Sequence, residues 1–376
     1  MDAELRTFIR EEPNYATVIA KETVEWQNCD VRNKVYLYGA GYLCQYYVRY
    51  LQTNGVRIEK ILDQEKCGEY KGIPICRYDE FLQETPESEK CRIFIATARY
   101  AKEVRILLEK MFPSHNIFFV EYAFQFEFND FSLDEYRQYL DNHWHELLTL
   151  DESLADELSK QTLDGILREH VSGNPAYIVN VMSPNLGFPD GVMKFGKNEV
   201  FVELGANNGD TFKAFMNKCP NYCSAWLFEP EECYQQSLVT IQQEQKKNGK
   251  GVHIIPKGAW NKEERVSFLS TSEVTGTVIE RPLEGVVTQI EMTTIDKTVS
   301  EGVTFIKMDI EGAELQALQG ATHQIKTNRP KLAVCVYHKC VDLLEIWKFL
   351  KSLIPDYKFY LRAHTPLWDD IYLYAV

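Results

Sequence analysis

Apolar positions along the chain fall into two series in which short β-branched or aromatic runs alternate with helical periods. The first series opens at Val35–Tyr38, a strand pattern closed by Gly39 and Gly41, and continues into a helical stretch from Leu43 to Leu51 that stops near Asn54-Gly55. "RIEKILD", "CRIFIAT" and "NIFFVEY" then read as further strands, the first ending in Asp63. Strand, helix and strand in alternation predict a parallel sheet. The stretch from about Asp130 to Glu169 changes character: Leu and Tyr recur at three and four among many acids, which predicts helices. The second series supplies "EVFVELG", "SAWLFEP", "VHIIPKGAW", "VTFIKMD", "KLAVCVYH", "KFYLRAH" and "DIYLYAV". The last two runs are joined by a short turn around Pro366, and a parallel crossover needs a dozen residues or more, so the final strand is expected to be antiparallel. Between the third and fourth runs, alternation around Gly276 predicts an extra β-hairpin spanning about Arg265 to Asp296.

The expected fold is α/β, with two Rossmann-like three-layer domains. The boundaries read from the pattern are an N-terminal helical segment at 1–30, a small Rossmann-like domain at 31–125, a helical bridge at 126–170 and the larger domain at 171–376. A chain of 376 residues suits two domains with connections.

Composition narrows the function classes. The formal net charge is −14, from 55 acids against 41 Lys and Arg, and no basic run stands out, so neither nucleic acid nor an anionic membrane is an expected partner. No run approaches the ~20 apolar residues of a membrane span. The N-terminus has early acids and no apolar h-region, which argues against a signal peptide. Ten scattered cysteines without a CxxC pair read as reduced thiols in a cytoplasmic protein. His143 and His145, two apart on a helix, face different ways and do not share a metal.

Chemistry is expected at the carboxyl ends of the second series' parallel strands. There "ELGANNGDT" (Glu203 to Thr211) makes a glycine loop framed by two acids, Glu203 and Asp210. Glycine lets a ligand approach the backbone closely, and the candidate contacts are Gly205, Ala206, Asn207, Gly209 and Thr211. Glu229 ends the next strand, 24 residues beyond Gly205 and before Pro230, near the spacing of about 20 at which an acid receives ribose hydroxyls. A nicotinamide dinucleotide would set a pyrophosphate against Glu203. S-adenosylmethionine instead brings an ammonium, a sulfonium and an adenosine, which acids complement. The structural alternatives are a satisfied strand-end acid for Glu203, a solvated one for Glu229 and a helix N-cap for Asp210. Gly258 and Ala259 lie on the same rim.

"VFVELGANNGDTF", "AWLFEP" and above all "FIKMDIEGAELQALQGA" resemble the FkbM-type family of class I S-adenosylmethionine-dependent methyltransferases, over roughly Ala176 to Val376. The resemblance implies a seven-stranded sheet with an antiparallel last strand, and methyl transfer to oxygen, often a hydroxyl of a sugar, glycan or natural product. Similar sequences commonly carry Asp at Glu203. Asp309 is placed at the methyl group, with Glu311 and Glu314 orienting the acceptor or simply favouring the start of a helix. These three carboxylates also suit Mg²⁺, although the reading without a metal is preferred. His338 at the end of "VYH" is the expected general base, because an unperturbed imidazole titrates near neutrality, with Asp309 as competitor.

In the first series, "YGAGYLCQ" fits G-x-G-x-x-[G/A] except at Cys44, and Asp63 follows Gly39 by 24 residues. Gly39, Gly41 and Asp63 mark a nucleotide, nucleotide-sugar or NAD site, or else a degenerate docking or dimerisation module. The degenerate reading is preferred because Cys44 puts bulk where a close helix approach is wanted. The rival functions are a nicotinamide-dependent oxidoreductase and a non-catalytic nucleotide- or sugar-binding protein.

Overall fold

The computed structural model describes residues 1, 3–41, 43–84, 86–97, 100–120, 132–270, 277–278, 286–365 and 370–376. The chain divides into two compact units. One comprises Ala3–Arg137 and Leu167–Asn174, and the other Met1–Asp2, Gln138–Ile166 and Pro175–Val376. The acidic helical stretch forms helices Leu133–Asn142, Trp144–Ser153 and Glu157–Ser172. Its residues are shared between the two units rather than forming a separate piece.

The N-terminal unit begins with helices Ala3–Glu11 and Tyr15–Cys29; Asn14 caps the second by accepting from the amides of Ala16 and Thr17. A six-stranded sheet follows, made of β1 (Lys34–Tyr38), β2 (Ile58–Asp63), β3 (Gly68–Tyr70), β4 (Ile73–Arg77), β5 (Cys91–Ile95) and β6 (Ile117–Phe118), in the order β3-β4-β2-β1-β5-β6. All pairs are parallel except β3 with β4. The sequence pattern did not predict that hairpin. Its two-residue turn, Lys71-Gly72, has φ of 50° and 79°, the mirror-image geometry that matches strand twist, but Lys-Gly is a weaker signal for it than Asn-Gly. β6 is shorter than the run Asn116–Tyr122 expected for it, whose last two residues fall outside the described set.

The C-terminal unit carries β7 (Val200–Leu204), β8 (Ser224–Phe228), β9 (Gly251–Ile255), β10 (Gly258–Ala259), β11 (Arg265–Ser270), β12 (Thr277–Val278), β13 (Val286–Thr293), β14 (Phe305–Met308), β15 (Lys331–Cys335), β16 (Phe359–Ala363) and β17 (Ile371–Ala375). Seven strands form one sheet in the order β16-β17-β15-β14-β7-β8-β9. β17 runs antiparallel to both neighbours, as expected from the short connection before it, and the remaining pairs are parallel. The turn at Pro366 itself falls outside the described residues.

"VHIIPKGAW" was read as one strand, but it is two. Pro256 offers no N–H to a ladder, and the chain turns there, with Lys257 N–H donating to the Ile255 carbonyl at 2.8 Å. Released from the main sheet, β10 pairs with β13, and β13 with β11, in a second sheet of order β10-β13-β11-β12. This is the predicted hairpin insert; Gly276 lies outside the described residues. Beneath the main sheet Phe201, Phe215 and Phe305 stack at centroid distances of 4.3 and 5.0 Å, fixing the strands whose ends carry the site.

Candidate functional site

β7, the first strand of the second series, is buried at every position and ends in a turn held by two amides: Gly205 and Ala206 N–H both donate to the Phe228 carbonyl at 3.0 Å. Gly205 has φ +76°, and a Cβ there would lie 2.0 Å from the Asp309 carbonyl oxygen. The residue is glycine because the β7 and β14 loops touch through it. Asn207 is also left-handed at φ 48°. Its amide donates to Glu229 Oε2 at 2.8 Å, while Glu231 N–H donates to Glu229 Oε1 at 2.9 Å. Glu229 is 5% exposed and braces two loops, and it lines the site's cavity. Burial pushes its carboxyl up to about 7, against the lowering effect of those amides.

The helix Asp210–Lys218 follows directly. Its N-cap is Gly209 (φ +83°), not Asp210, which is the first helical residue, 73% exposed and 3.5 Å from Lys213. The N-cap alternative for Asp210 is therefore corrected.

Glu203 is fully buried, and neither carboxylate oxygen has a partner in hydrogen-bonding geometry. Burial raises it to about 8, outweighing nearby Lys307. It lies behind the cavity wall, not in it. In register opposite stands Lys307, 4% exposed, which does line the cavity. Asp309, two residues on, takes hydroxyl hydrogen bonds from Tyr337 at 3.3 Å and Tyr372 at 3.2 Å. Burial raises Asp309, but Lys307 and His338 outweigh it and hold the carboxyl below its usual range.

The expected role of His338 as a near-neutral general base does not fit the structure. His338 Nδ1 lies 3.0 Å from Glu314 Oε1, and Nε2 lies 3.5 Å from Asp309 and 3.4 Å from Glu311. Three carboxylates around the ring favour its protonated form. Burial lowers its pKa, but the three acids, Glu314 foremost, lift it to about 10. The side chain also sits behind the wall. Glu314 is buried too and accepts from Ile310 N–H at 2.9 Å, closing the loop before its helix. Glu311 reaches the cavity from a left-handed residue (φ 56°), and burial raises it to about 7. Asp309, Glu314 and His338 bring ligand-type atoms within 4.8 Å of one another.

The cavity measures about 320 Å³, within the range of small-molecule sites. The expected contacts Gly205, Ala206, Asn207, Asp210, Thr211, Glu229, Pro230, Gly258, Ala259, Asp309 and Glu311 line it; Glu203, Gly209, Glu314 and His338 do not. Lys307, Lys257, Asn208, Glu231, Ile310 and the apolar Phe268, Ile290 and Met292 line it without having been foreseen. The alternation of the insert was visible, but which face would meet the cavity was not. A Cβ at Gly258 would meet Met292 Sδ at 2.4 Å, where β10 pairs with β13.

The first glycine loop ends differently. Gly39 (φ +114°) packs on the Ala96 carbonyl, and Cys44 is buried in the core. Asp63 Oδ2 accepts from Ala40 N–H at 2.9 Å, and Oδ1 from Glu65 and Lys66 N–H at 3.0 Å; Lys66 Nζ donates to the Ala40 carbonyl. The carboxylate expected to receive a ribose is thus engaged by three amides of its own turns.

A model of the Methyltransferase FkbM domain matches residues 203–359, which contain the glycine loop, Glu229 and "KMDIEGAE". These residues of the C-terminal unit therefore match a methyltransferase domain, that of the FkbM family. The solved structure of a methyltransferase FkbM from Methylobacillus flagellatus KT is 23% identical, covers 100% of this chain and 94% of its own, and superposes with a TM-score of 0.66, a likeness of fold. A precorrin-6y C5,15-methyltransferase from Geobacter metallireducens GS-15 is 13% identical over 49% of this chain and 82% of its own. The N-terminal domain of human METTL16 in complex with SAH is 11% identical over 48% and 60%. Both have TM-scores of 0.29, too low to bear on the fold. No curated protein matches the chain. Among the described residues no helix is long and apolar enough to cross a membrane.

Proposed function

We propose that the C-terminal unit binds S-adenosylmethionine in this cavity and methylates a hydroxyl of a sugar, glycan or related natural product. The supporting observation is the braced pair of loops: Glu229 holds Asn207 and Glu231, and all three line one cavity with Lys307, Asp309 and Glu311. The ribose hydroxyls would take the unused lone pairs of Glu229, and the base would lie against Pro230, Ala259 and the apolar insert residues. S-adenosylmethionine supplies a methyl group on a sulfonium that leaves as a neutral thioether. The acids along the wall favour that cation and oppose a dinucleotide pyrophosphate, which disfavours the oxidoreductase reading.

The protein's own part is to align the acceptor oxygen and take its proton. Glu311, raised to about 7 and lining the cavity, suits proton removal better than His338, which is cationic and behind the wall. Asp309 is engaged by Tyr337 and Tyr372, which suits it to holding position.

Calorimetric titration with S-adenosylhomocysteine and with NAD, followed by a labelled-methyl screen over glycans and nucleotide-sugars, tests this reading. Binding of S-adenosylhomocysteine but not NAD, with label on an acceptor oxygen, is expected. NAD binding alone would overturn it, and cofactor binding without transfer to any member of the screen would favour a non-catalytic binding protein.

A further inference from the structure

Asp309 and Glu203 attract the Lys307 charge and outweigh the cost of burying it, but neither accepts a hydrogen bond from it. Lys307 is 4% exposed, yet its Nζ has no hydrogen-bond acceptor among the described residues; its closest ion-pair partner, Asp309 Oδ2, is 3.7 Å away. An ammonium carries three donors, and away from bulk water each of them wants an acceptor. The side chain lines the cavity, so an occupant of the cavity is placed to supply the missing oxygen. The other lysine of the lining, Lys257, is tied to Glu291 at 3.0 Å. Lys307 is thus the lysine of the lining whose donors remain for an anionic group.

Resting on the cofactor reading above, we infer that Lys307 receives the α-carboxylate of the cofactor's methionine portion, with Asp309 taking the adjacent ammonium. The adenosine belongs at the Glu229 end, which puts the amino-acid end against β14. The carboxylate is the one anionic group that the cofactor carries. An α-amino acid holds its ammonium and carboxylate on a single carbon, so the protein charges that read them must also be adjacent, as Lys307 and Asp309 are. Glu203, in register behind Lys307, then acts on the lysine rather than on the ligand. Charge-assisted contacts of this kind are worth roughly tenfold or more in affinity.

Ligand and protein are varied together to test this. Full-length wild type is titrated calorimetrically with S-adenosylhomocysteine, with its decarboxylated analogue and with 5′-methylthioadenosine. S-adenosylhomocysteine is expected to bind about tenfold or more tighter than the decarboxylated analogue. Lys307→Gln should erase that preference while leaving 5′-methylthioadenosine within about twofold, and Lys307→Arg should restore part of it. Equal wild-type affinities for the two homocysteine ligands would overturn the assignment without reference to any variant. A loss in Lys307→Gln that is equal for all three ligands would overturn it as well. Failure of wild type to bind both S-adenosylhomocysteine and 5′-methylthioadenosine would instead sink the cofactor reading itself.

Discussion

After β1 the chain turns at Gly39 beneath Asp63, and after β7 it turns at Gly205 beneath Glu229. In both places an acid at the end of the next strand accepts an amide from the glycine loop: Asp63 from Ala40 at 2.9 Å, Glu229 from Asn207 at 2.8 Å. The glycine-to-acid spacing is 24 residues in each. What differs is the surroundings. Asp63 closes on its own turns through three amides, and Lys66 reaches back over the loop. Glu229 stands in the wall of a cavity roofed by Phe268, Ile290 and Met292 from the insert. The spacing that suggests a ribose acid is thus, in both units, a means of fixing a glycine turn, and enclosure by further elements is what distinguishes the loop proposed to bind a cofactor.

The strongest way to separate the loops is to fill their glycines. Gly205→Ala would force a Cβ onto the Asp309 carbonyl at 2.0 Å and a side chain into φ +76°. A loss of about 3 kcal/mol or more is expected, with S-adenosylhomocysteine binding abolished. Gly39→Ala meets the Ala96 carbonyl at 2.8 Å with φ +114°. Its cost should be about 2 kcal/mol, confined to the N-terminal unit, with affinity unchanged. Urea unfolding and calorimetry read both. If Gly39→Ala weakens S-adenosylhomocysteine binding as strongly as Gly205→Ala, the contrast between the loops fails.

The two acids give a smaller effect of opposite sign. Glu229 is raised, by burial, from 4.5 to about 7. A raised carboxyl contributes stability that is complete below its unfolded value and is lost as pH climbs through about 7. Asp63 moves the other way. Burial would raise it, but the amides of Glu65, Ala40 and Lys66 and the charge of Lys66 outweigh that and lower it. Its contribution is present above 3.8 and is lost as pH falls through the lowered folded value. Urea unfolding at pH 3, 5 and 8 should therefore show the wild-type advantage over Glu229→Gln shrinking as pH rises, and that over Asp63→Asn shrinking as pH falls. Glu229→Gln should also weaken S-adenosylhomocysteine binding about tenfold, whereas Asp63→Asn should leave it alone. The same pH trend in both variants would remove the distinction.

The seven-stranded sheet was legible because most of its strands, β7, β8, β14 and β17 above all, are buried apolar runs, and the antiparallel end followed from the length of a connection. The split at Pro256 and the Lys71-Gly72 hairpin were not, since each depends on one residue inside an apolar run. At the site, the residues set by backbone geometry were legible, Gly205 (φ +76°) among them. Residues defined by what surrounds them were not. His338 looked like a base because its three carboxylates come from the loop and helix after a different strand, 24 to 29 residues earlier in the chain. Lys307 passed as a strand residue because only the fold reveals that its nitrogen enters a cavity.

The smallest expected effect concerns the charge at the far end of the second loop. Asp210 was expected to complement a cationic headgroup, yet its side chain is 73% exposed and shares its charge with Lys213 at 3.5 Å. Exposed charges are screened by water and salt, and one placed at the mouth of a cavity adds little to binding inside it. Asp210→Asn should change S-adenosylhomocysteine affinity by about twofold or less, and any change should vanish between low and 0.5 M salt, which shortens the screening length to a few ångströms. A salt-resistant tenfold loss would mean that the exposed acid recognises the ligand directly. Enclosure would then no longer account for the difference between the two loops, since "YGAGYLCQ" lacks not only the roof but also the framing acids.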